Sequence, residues 1–594
     1  RGADSGDHVF GAVGAVQEGD MKQLQNDDRV VISPTIQFDW KTTTLRLRYE
    51  YSDIKDFGLY TNNFLDENNR PSTFGGRDTT YKASWSWSRF RKSEVEANLI
   101  TRFSPDVEGR LQVAYYEEQR GDHDNRAFLV ATPAGSGLAG NAIIPVNAAT
   151  TMASTVLDLA QTQQTFAIND DYVANFKAFD VPQQLNFGFG VNYLYNSQGL
   201  VQPVIGRFTL GNPVLPADPG PQSIPGSATT INDTRIAYIY GQDQLKFFND
   251  QLIATVGLNW GFNKVITHRP VANAVYSEAQ GSDLTNKTAL VWKFTPKTSV
   301  FASRATAFVP QGPGVVGQDG RPLPSITSTA YEAGLKADGL LDRKISGSVA
   351  YFESETINQP IGVNPGTANF YNINGGTTKT HGIEFDLTLR PAAGWEIIAT
   401  AFQGNGVITS ATNDYANRSF KETHSLLAKY NFTAGSLKGL VVGANLFHMG
   451  AIYLRPAPAL PAWTIYSAFA SYQFDKSQIS LNVENFTDKV YGAGGNNRYA
   501  VTLGAPRTVR GRSGARTVSR RRFFSRARGT KNSPQCGHGH AKWCRVPCCQ
   551  SRQIGDRICS GSPGDHMVSP FTGSISTPTI PTEGVERIAV TKSA

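Results

Sequence analysis

The residues best suited to bond chemistry crowd into the last sixty or so positions of the chain. Cys544, Cys548 and Cys549, with His538 and His540 nearby, are thiolates and imidazoles that could close a tetrahedron around zinc. They lack the paired C-x-x-C spacing and have no fold signals around them, so no metal site is expected there. The run Arg520, Arg521, Arg522, Arg526 and Arg528 could meet phosphate backbones. Out-of-frame translation of GC-rich DNA gives Arg and Cys runs without any such purpose, and nucleic acid is not an expected partner. Gly312-x-Gly314-x-x-Gly317 matches a dinucleotide fingerprint to the letter. Pro310 and Pro313 break the strand that should precede it, and Gln318-Asp319-Gly320 with Pro322 forbids the helix that should hold a pyrophosphate. An extracellular loop is the better reading. Asp122-His123-Asp124 has metal-ligand residue types, but three polar neighbours at the start of a loop are expected to be solvated. No Ser, His and Asp arrangement suggests hydrolysis, so the chain is read as no enzyme and as carrying no cofactor.

The elements around these residues are strands. Of 594 residues only 18% are charged, and 57 are Gly, 22 Tyr and 33 Phe, which suits many strands, many turns and an aromatic-rich surface. No run of about 18 apolar residues is present, which removes helical membrane spans and leaves β-barrels open. The net charge of +8 is misleading, because residues 508–594 hold fifteen Lys and Arg against four Asp and Glu, leaving residues 1–507 slightly acidic. All five cysteines also lie in that tail. The body therefore needs neither disulfides nor a reducing compartment. Arg1 opens the chain with no Met, basic n-region or apolar h-region, and an upstream segment is expected.

From residue 32 onward, segments of about ten residues alternate in polarity. Ile36, Phe38 and Trp40 alternate with Gln37, Asp39 and Lys41; after a Thr turn, Leu45, Leu47, Tyr49 and Tyr51 alternate with Arg46, Arg48, Glu50 and Ser52. Leu185 to Tyr195, Leu252 to Phe262, Ile383 to Leu389 and Leu440 to Leu446 repeat the pattern. Short connections at 104–109, 181–184, 248–251, 296–298, 391–394 and 475–477 take turns with long ones. The long ones cover 53–93, 120–170, 196–233, 263–283, 306–328, 354–379, 404–422, 449–462 and 487–499. Tyr81, Ala83, Trp85 and Trp87 also alternate and suggest a hairpin arm within 53–93. Short turns on one side and long loops on the other are the mark of an outer-membrane barrel. About nineteen strands, with a further partial one at 9–18, are too many for an open twisted sheet, whereas closure removes its edges. Arg46, Arg48 and Glu50 are expected to face the lumen, since a charge in mid-bilayer costs roughly 2–4 kcal/mol. His381 and His424 are expected to line the lumen or lie near an interface. A soluble sandwich, propeller or solenoid would also alternate, but no repeat of about 40 residues supports a propeller.

Four stretches then resemble one family, the TonB-dependent outer-membrane receptors, in its siderophore-receptor branch. Residues 236–262 (IAYIYGQDQLKFFNDQLIATVGLNWGF) resemble a family strand pair. Residues 299–353 resemble a Pro-Gln loop followed by YE-x-GLK and a strand; residues 379–402 (KTHGIEFDLTLRPAAGWEIIATAF) resemble the G-x-E-x-[DE] strand and its Pro-Gly-Trp turn. Residues 482–491 (NVENFTDKVY) resemble the late N-x-x-D-K-x-Y element, and Gly504, Ala505, Pro506 and Arg507 the GxPR before a final strand. The resemblance covers about 30–507.

It implies an all-β transmembrane antiparallel barrel of 22 strands, about 19–20 of them present here, in the bacterial outer membrane. It also implies import of a ferric siderophore, driven by TonB with ExbB and ExbD through a plug domain that this chain lacks. Import of another nutrient, such as an oligosaccharide or cobalamin, and a passive porin are the alternatives. Residues 1–507 are read as the barrel, incomplete at its N-terminus. Residues 508–594 are read as a basic, Cys-containing tail, frameshifted near 508–511 and disordered. Ligand residues vary with substrate in this family, so none carries over; Tyr371, Arg418, Tyr453 and Arg455, on long loops, have the stacking and charge that an iron chelate would meet.

Overall fold

The alternation is spent on two solvents. In the strand Thr43–Asp56, Leu47 and Tyr49 share one face and are about two-fifths exposed, while Arg48 points the other way toward Glu94 and Glu96 of Trp87–Ser104. The registers Leu47↔Ala97, Arg48↔Glu96 and Tyr49↔Val95 keep apolar with apolar and charge with charge across the pair. The same split recurs along the chain. Ile239, Leu258, Trp292 and Ile383 are each more than half exposed, on strands whose intervening positions are mostly polar or small. Such a band is unfavourable in water and suits lipid. Arg46, Arg48 and Glu50 lie on the opposite, inward face, as expected.

The computed structural model describes residues 8–17, 27–56, 65–66, 69–72, 81–129, 147–271, 277–312, 315–363, 371–409, 414–415, 419–454, 460–474, 477–497 and 500–515. They form a 22-stranded sheet and a separate two-stranded one, all antiparallel. Two members of the large sheet, Val204–Thr209 and Asp414–Tyr415, are short additions at the loop end. The remaining twenty form one meander in which each strand pairs with its predecessor and successor, from His8–Gln17 to Thr508–Ala515. Among the described residues no pairing joins those two end strands.

Turns of few residues do alternate with long connections. Phe248, Asn249 and Asp250 take positive φ between Phe247 and Leu252, and Pro391 to Gly394 connects Leu389 to Trp395. One expected turn is displaced. Residues 181–184 are strand, with Lys177 opposite Pro182, and the reversal is made by Phe179 (φ 50) and Asp180 (φ 62). Two successive positive φ values give the hairpin twist that joins antiparallel strands.

Near the short turns the outward face is aromatic: Phe103, Tyr172 and Phe187 stack in series (6.2 and 5.2 Å), and Trp292–Phe294, Trp395–Tyr430 and Tyr472–Phe474 continue the belt. Amphipathic rings favour a lipid–water boundary. On the inward face, Tyr238 and Tyr240 lie flat over Gly190 and Gly188 and bond Asn169 Oδ1 (2.7 Å) and Asp171 Oδ1 (2.9 Å). A Cβ at Gly190 would overlap the Tyr238 ring and sit 2.6 Å from Asn169 Oδ1. Gly190→Val is therefore expected to cost about 1–3 kcal/mol by overpacking; urea unfolding in lipid vesicles measures it, and a wild-type midpoint would show that the ring moves aside freely.

The strands run far beyond a bilayer at the loop end, and here the long connections read from sequence are corrected. Val107–Leu129 and Thr151–Ala178 have 23 and 28 residues and stay in register from Val107↔Ala174 to Leu129↔Met152. A tilted span needs only about 9–11. Most of 120–170 is thus strand, and its polarity does not alternate because no lipid touches either face. Of the stretch 53–93, where a hairpin arm was expected, residues 57–64, 67–68 and 73–80 lie outside the described residues; residues 81–86 form a turn, with Tyr81 packed against Ala127, Met152, Phe208 and Leu210. A second apolar cluster joins Leu65, Ile452, Leu454, Leu460 and Val501. Leu65 follows the third strand of the meander, whereas the other four precede or follow strands near its end. Loop packing thereby ties early and late parts of the ladder together at the mouth.

At the C-terminal end the body continues past the expected boundary at 507. Thr508–Ala515 pairs with Ser477–Glu484, with Arg510 Nη1 3.3 Å from Glu484 Oε1. The positions from 516 to 594, with the cysteines and the Arg run, lie outside the described residues, as does Arg1.

Candidate functional site: the lumen wall and its mouth

The inward face of the first strands carries a connected charge layer. Arg48 bonds Glu94, lies 3.1 Å from Glu96 and reaches Glu50 at 3.3 Å; Lys92 reaches Glu94 at 2.6 Å. Arg110 bonds Asn98 Oδ1 at 3.1 Å, and Gln112 bonds Glu96 Oε1 at 2.9 Å. Alternation alone puts these side chains on one wall, and antiparallel register sets them opposite one another. Such a wall suits a hydrated or polar occupant.

Higher up, nearer the long loops, the later strands carry rings. Phe352 and Phe402 stack at 6.0 Å, and Phe420 meets Phe402 edge-on at 5.5 Å. Trp463 lies 5.5 Å from Phe447 and 4.2 Å from Tyr491. Its Nε1 is buried and has no hydrogen-bond partner among the described residues. Lys421 Nζ stands 5.9 Å over the Tyr453 ring, whose backbone N–H bonds Ser419 O at 2.8 Å. Aromatic planes beside an exposed ammonium can hold a flat or anionic ligand by stacking and charge.

The Asx-rich segment at 122–124 is buried strand rather than a solvated loop. Asp122 pairs with Arg120 (2.6 Å) and Asp124 with Lys82 (3.0 Å); His123 lies between Asp158 and Asp218. Burial pushes the Asp124 carboxyl up, although Lys82 and Arg126 oppose it. Burial likewise raises the Tyr81 hydroxyl to about 12. Among the described residues no group of His, Cys, Asp and Glu could hold a metal ion.

The motifs that matched receptor sequences are knots in this structure. Buried Asn485 donates to Lys489 O (2.9 Å) and Ala505 O (3.0 Å), and Arg507 N donates to Asp488 Oδ1 (2.8 Å). Tyr491 lies so close over Gly504 that a Cβ there would overlap its ring. N-x-x-D-K-x-Y and GxPR are thus two halves of one device that feeds the last strand into the sheet. The family described as "TonB dependent receptor-like, beta-barrel" matches residues 34–486. The chain belongs to that family.

Its receptor barrel is 24% identical over 369 residues to the ferrichrome outer membrane transporter/phage receptor of Escherichia coli (strain K12), covering 58% of this chain and 47% of that protein. It is 29% identical over 206 residues to the ferric-pyoverdine BN7/BN8 receptor of Pseudomonas putida, covering 32% and 23%. The chain thus spans half or less of the curated relatives it matches. Among solved structures, the pyoverdine outer membrane receptor of Pseudomonas aeruginosa PAO1 superposes with a TM-score of 0.72 at 18% identity, covering 86% of this chain and 74% of that one. The ferric-catecholate import receptor Fiu of Escherichia coli K12 gives 0.71 at 14%, covering 85% and 77%. At those identities the likeness is one of fold. Family membership places the receptor barrel in the outer membrane.

Of the ligand residues expected from sequence, Tyr453 lies in the aromatic mouth. Tyr371 opens a strand opposite Val363, partly exposed at the loop end. Arg418 and Arg455 lie outside the described residues. His424 shares a face with exposed Leu426 and stacks on His448 at 5.6 Å, near the upper edge of the apolar band; His381 shares a face with exposed Ile383. Gly317 N bonds Arg321 O in a tight turn, so the glycine-rich stretch opens no helix. Sequence reasoning passed over Phe352, Phe402, Phe420, Lys421 and Trp463. A ring at a position whose register faces the lumen was the available signal.

Proposed function

We propose that this protein is the barrel of a ferric-siderophore importer. The observation that supports the reading best is the mouth of Phe420, Lys421, Tyr453 and Trp463 above a charged lumen, in a family whose matched relatives are named for ferrichrome, pyoverdine and catecholate uptake. In this reading the chelate is held by stacking and charge at the mouth. TonB, with ExbB and ExbD, supplies the energy through a plug domain seated against the Arg48–Glu94–Glu96 wall.

The test is tryptophan quenching of the vesicle-reconstituted chain by ferric hydroxamate, pyoverdine and catecholate siderophores. At least one is expected to bind, and Lys421→Ala with Tyr453→Ala to weaken it roughly tenfold, which is about 1.4 kcal/mol. Binding of cobalamin or an oligosaccharide with no response to any ferric siderophore would sink the siderophore reading. Steady ion conduction in planar bilayers with no ligand response would favour a passive pore.

A further inference from the structure

His123 sits where three elements meet, and both of its ring nitrogens face carboxylates. Nδ1 is 2.6 Å from Asp158 Oδ1, on the strand Thr151–Ala178, and Nε2 is 2.9 Å from Asp218 Oδ1, in the connection after Val204–Thr209. The imidazole is almost wholly buried, whereas Asp218 is half exposed. Trp85 and Trp87 cover it, with ring centroids at 4.9 and 6.3 Å. The other charges nearby are engaged with one another: Arg120 with Asp122, and Lys82 and Arg126 with Asp124. Asp158 and Asp218 are therefore the carboxylates that face the ring.

We propose that His123 is a proton-operated latch that holds residues 216–222 against the projecting strands at the barrel mouth and lets them go when it loses its proton. The reason is a count of donors. An ionised carboxylate only accepts, a cationic imidazole has two N–H donors, and a neutral one has a single N–H. The observed geometry is satisfied on both sides only by the cation. When the ring gives its proton to water, one nitrogen lone pair must face a carboxylate oxygen. The half-exposed pair is the one that breaks, because Asp218 can turn to water and buried Asp158 cannot. Asp218 is also the centre of the segment's fold: Gly220 N donates to its Oδ1 at 2.7 Å. Trp85 Nε1 to Pro216 O (3.1 Å) and Gln222 N to Asp158 Oδ2 (2.9 Å) flank the latch on either side.

The direction in pH follows. Burial disfavours the His123 cation, but its bonds to Asp158 and Asp218 and their charges outweigh burial and hold it above the ordinary value of 6.5. Docking is therefore favoured below the ordinary histidine range and weakens as pH climbs through the raised value. Asp218 is held below 3.8, first by His123 and then by the Gly220 N–H, so its protonation opens the latch only in strong acid.

The experiment is hydrogen exchange of the peptide spanning 216–222 in the full chain, in micelles, corrected for intrinsic rates with an unstructured reference peptide. Protection is expected to fall roughly tenfold or more between about pH 5.5 and pH 9, and to lose that dependence in His123→Gln. Asp218→Ala keeps the buried His123–Asp158 pair and is expected to leave the segment poorly protected at both pH values. Heat-modified gel migration reports that each barrel has folded. Wild-type protection that does not change with pH overturns the proposal. So does a pH dependence that survives in His123→Gln, or an Asp218→Ala segment as protected as wild type in acid.

Discussion

Leu258→Arg in the strand Leu252–His268 is expected to lower unfolding free energy in lipid vesicles by about 2–4 kcal/mol. Leu258 is 52% exposed, shares its face with Val256 and Trp260, and lies about midway along the apolar band. Arg at that depth must strip its hydration or deform the bilayer. Its neighbour Asn259 points the opposite way, bonding Thr285 Oγ1 at 3.4 Å. Asn259→Arg is expected to change stability by less than about 1 kcal/mol, because its charge stays in the aqueous lumen. The pair differ by one residue in sequence and by a whole solvent in space. Equal losses from the two substitutions in urea titrations would mean that the inward and outward faces are wrongly assigned.

The second large effect is expected from Asp124→Leu. Lys82 Nζ is 3.0 Å from Asp124 Oδ1, and the two side chains are 2% and 1% exposed. Removing the carboxylate breaks a buried ion pair, and losing one partner of such a pair costs about 3–5 kcal/mol. The additional change Lys82→Met is expected to recover part of that loss. Recovery is incomplete because Arg126, 3.5 Å from Asp124, also loses its carboxylate. The fluorescence of Trp85 and Trp87, which border this layer, reports its unfolding in urea. The sign in pH is also set. The Asp124 carboxyl is raised on folding by burial, so the layer loses stability as pH rises from the ordinary 3.8 through the raised value, and Asp124→Leu lacks that slope. Wild-type urea midpoints in both variants would show that the pair contributes nothing to holding the loop layer.

Legibility followed the solvent. Strands such as Thr43–Asp56 and Leu252–His268 could be read because lipid on one side and water on the other impose a period of two. Where the strands leave the bilayer, as in residues 117–129 and 151–165, that constraint lapses, and the same β-structure reads as loop. The turn at Phe179–Asp180 was obscured for a different reason: Pro182 looked like a reversal, but it sits near the start of a strand, where a missing donor is tolerated. Asp122-His123-Asp124 looked solvated because nothing local announces Lys82, Asp158 or Asp218, which come from the 81–86 turn, a partner strand and a distant loop. Tyr453 was singled out by its residue type. Phe352 and Phe402 were not, since an aromatic in a barrel strand reads first as lipid-facing and only its register says otherwise.

The sequence by itself determined the meander: alternation sets which face of each strand meets lipid, and short and long connections in turn set which end of the barrel each loop joins. Both are local properties, decided within about ten residues. Tertiary structure alone decided what stands at the mouth. Leu65 beside Leu460, His123 between Asp158 and Asp218, and Lys421 over Tyr453 depend on loops folding back over strands, and no periodicity encodes a contact between segments that share no register.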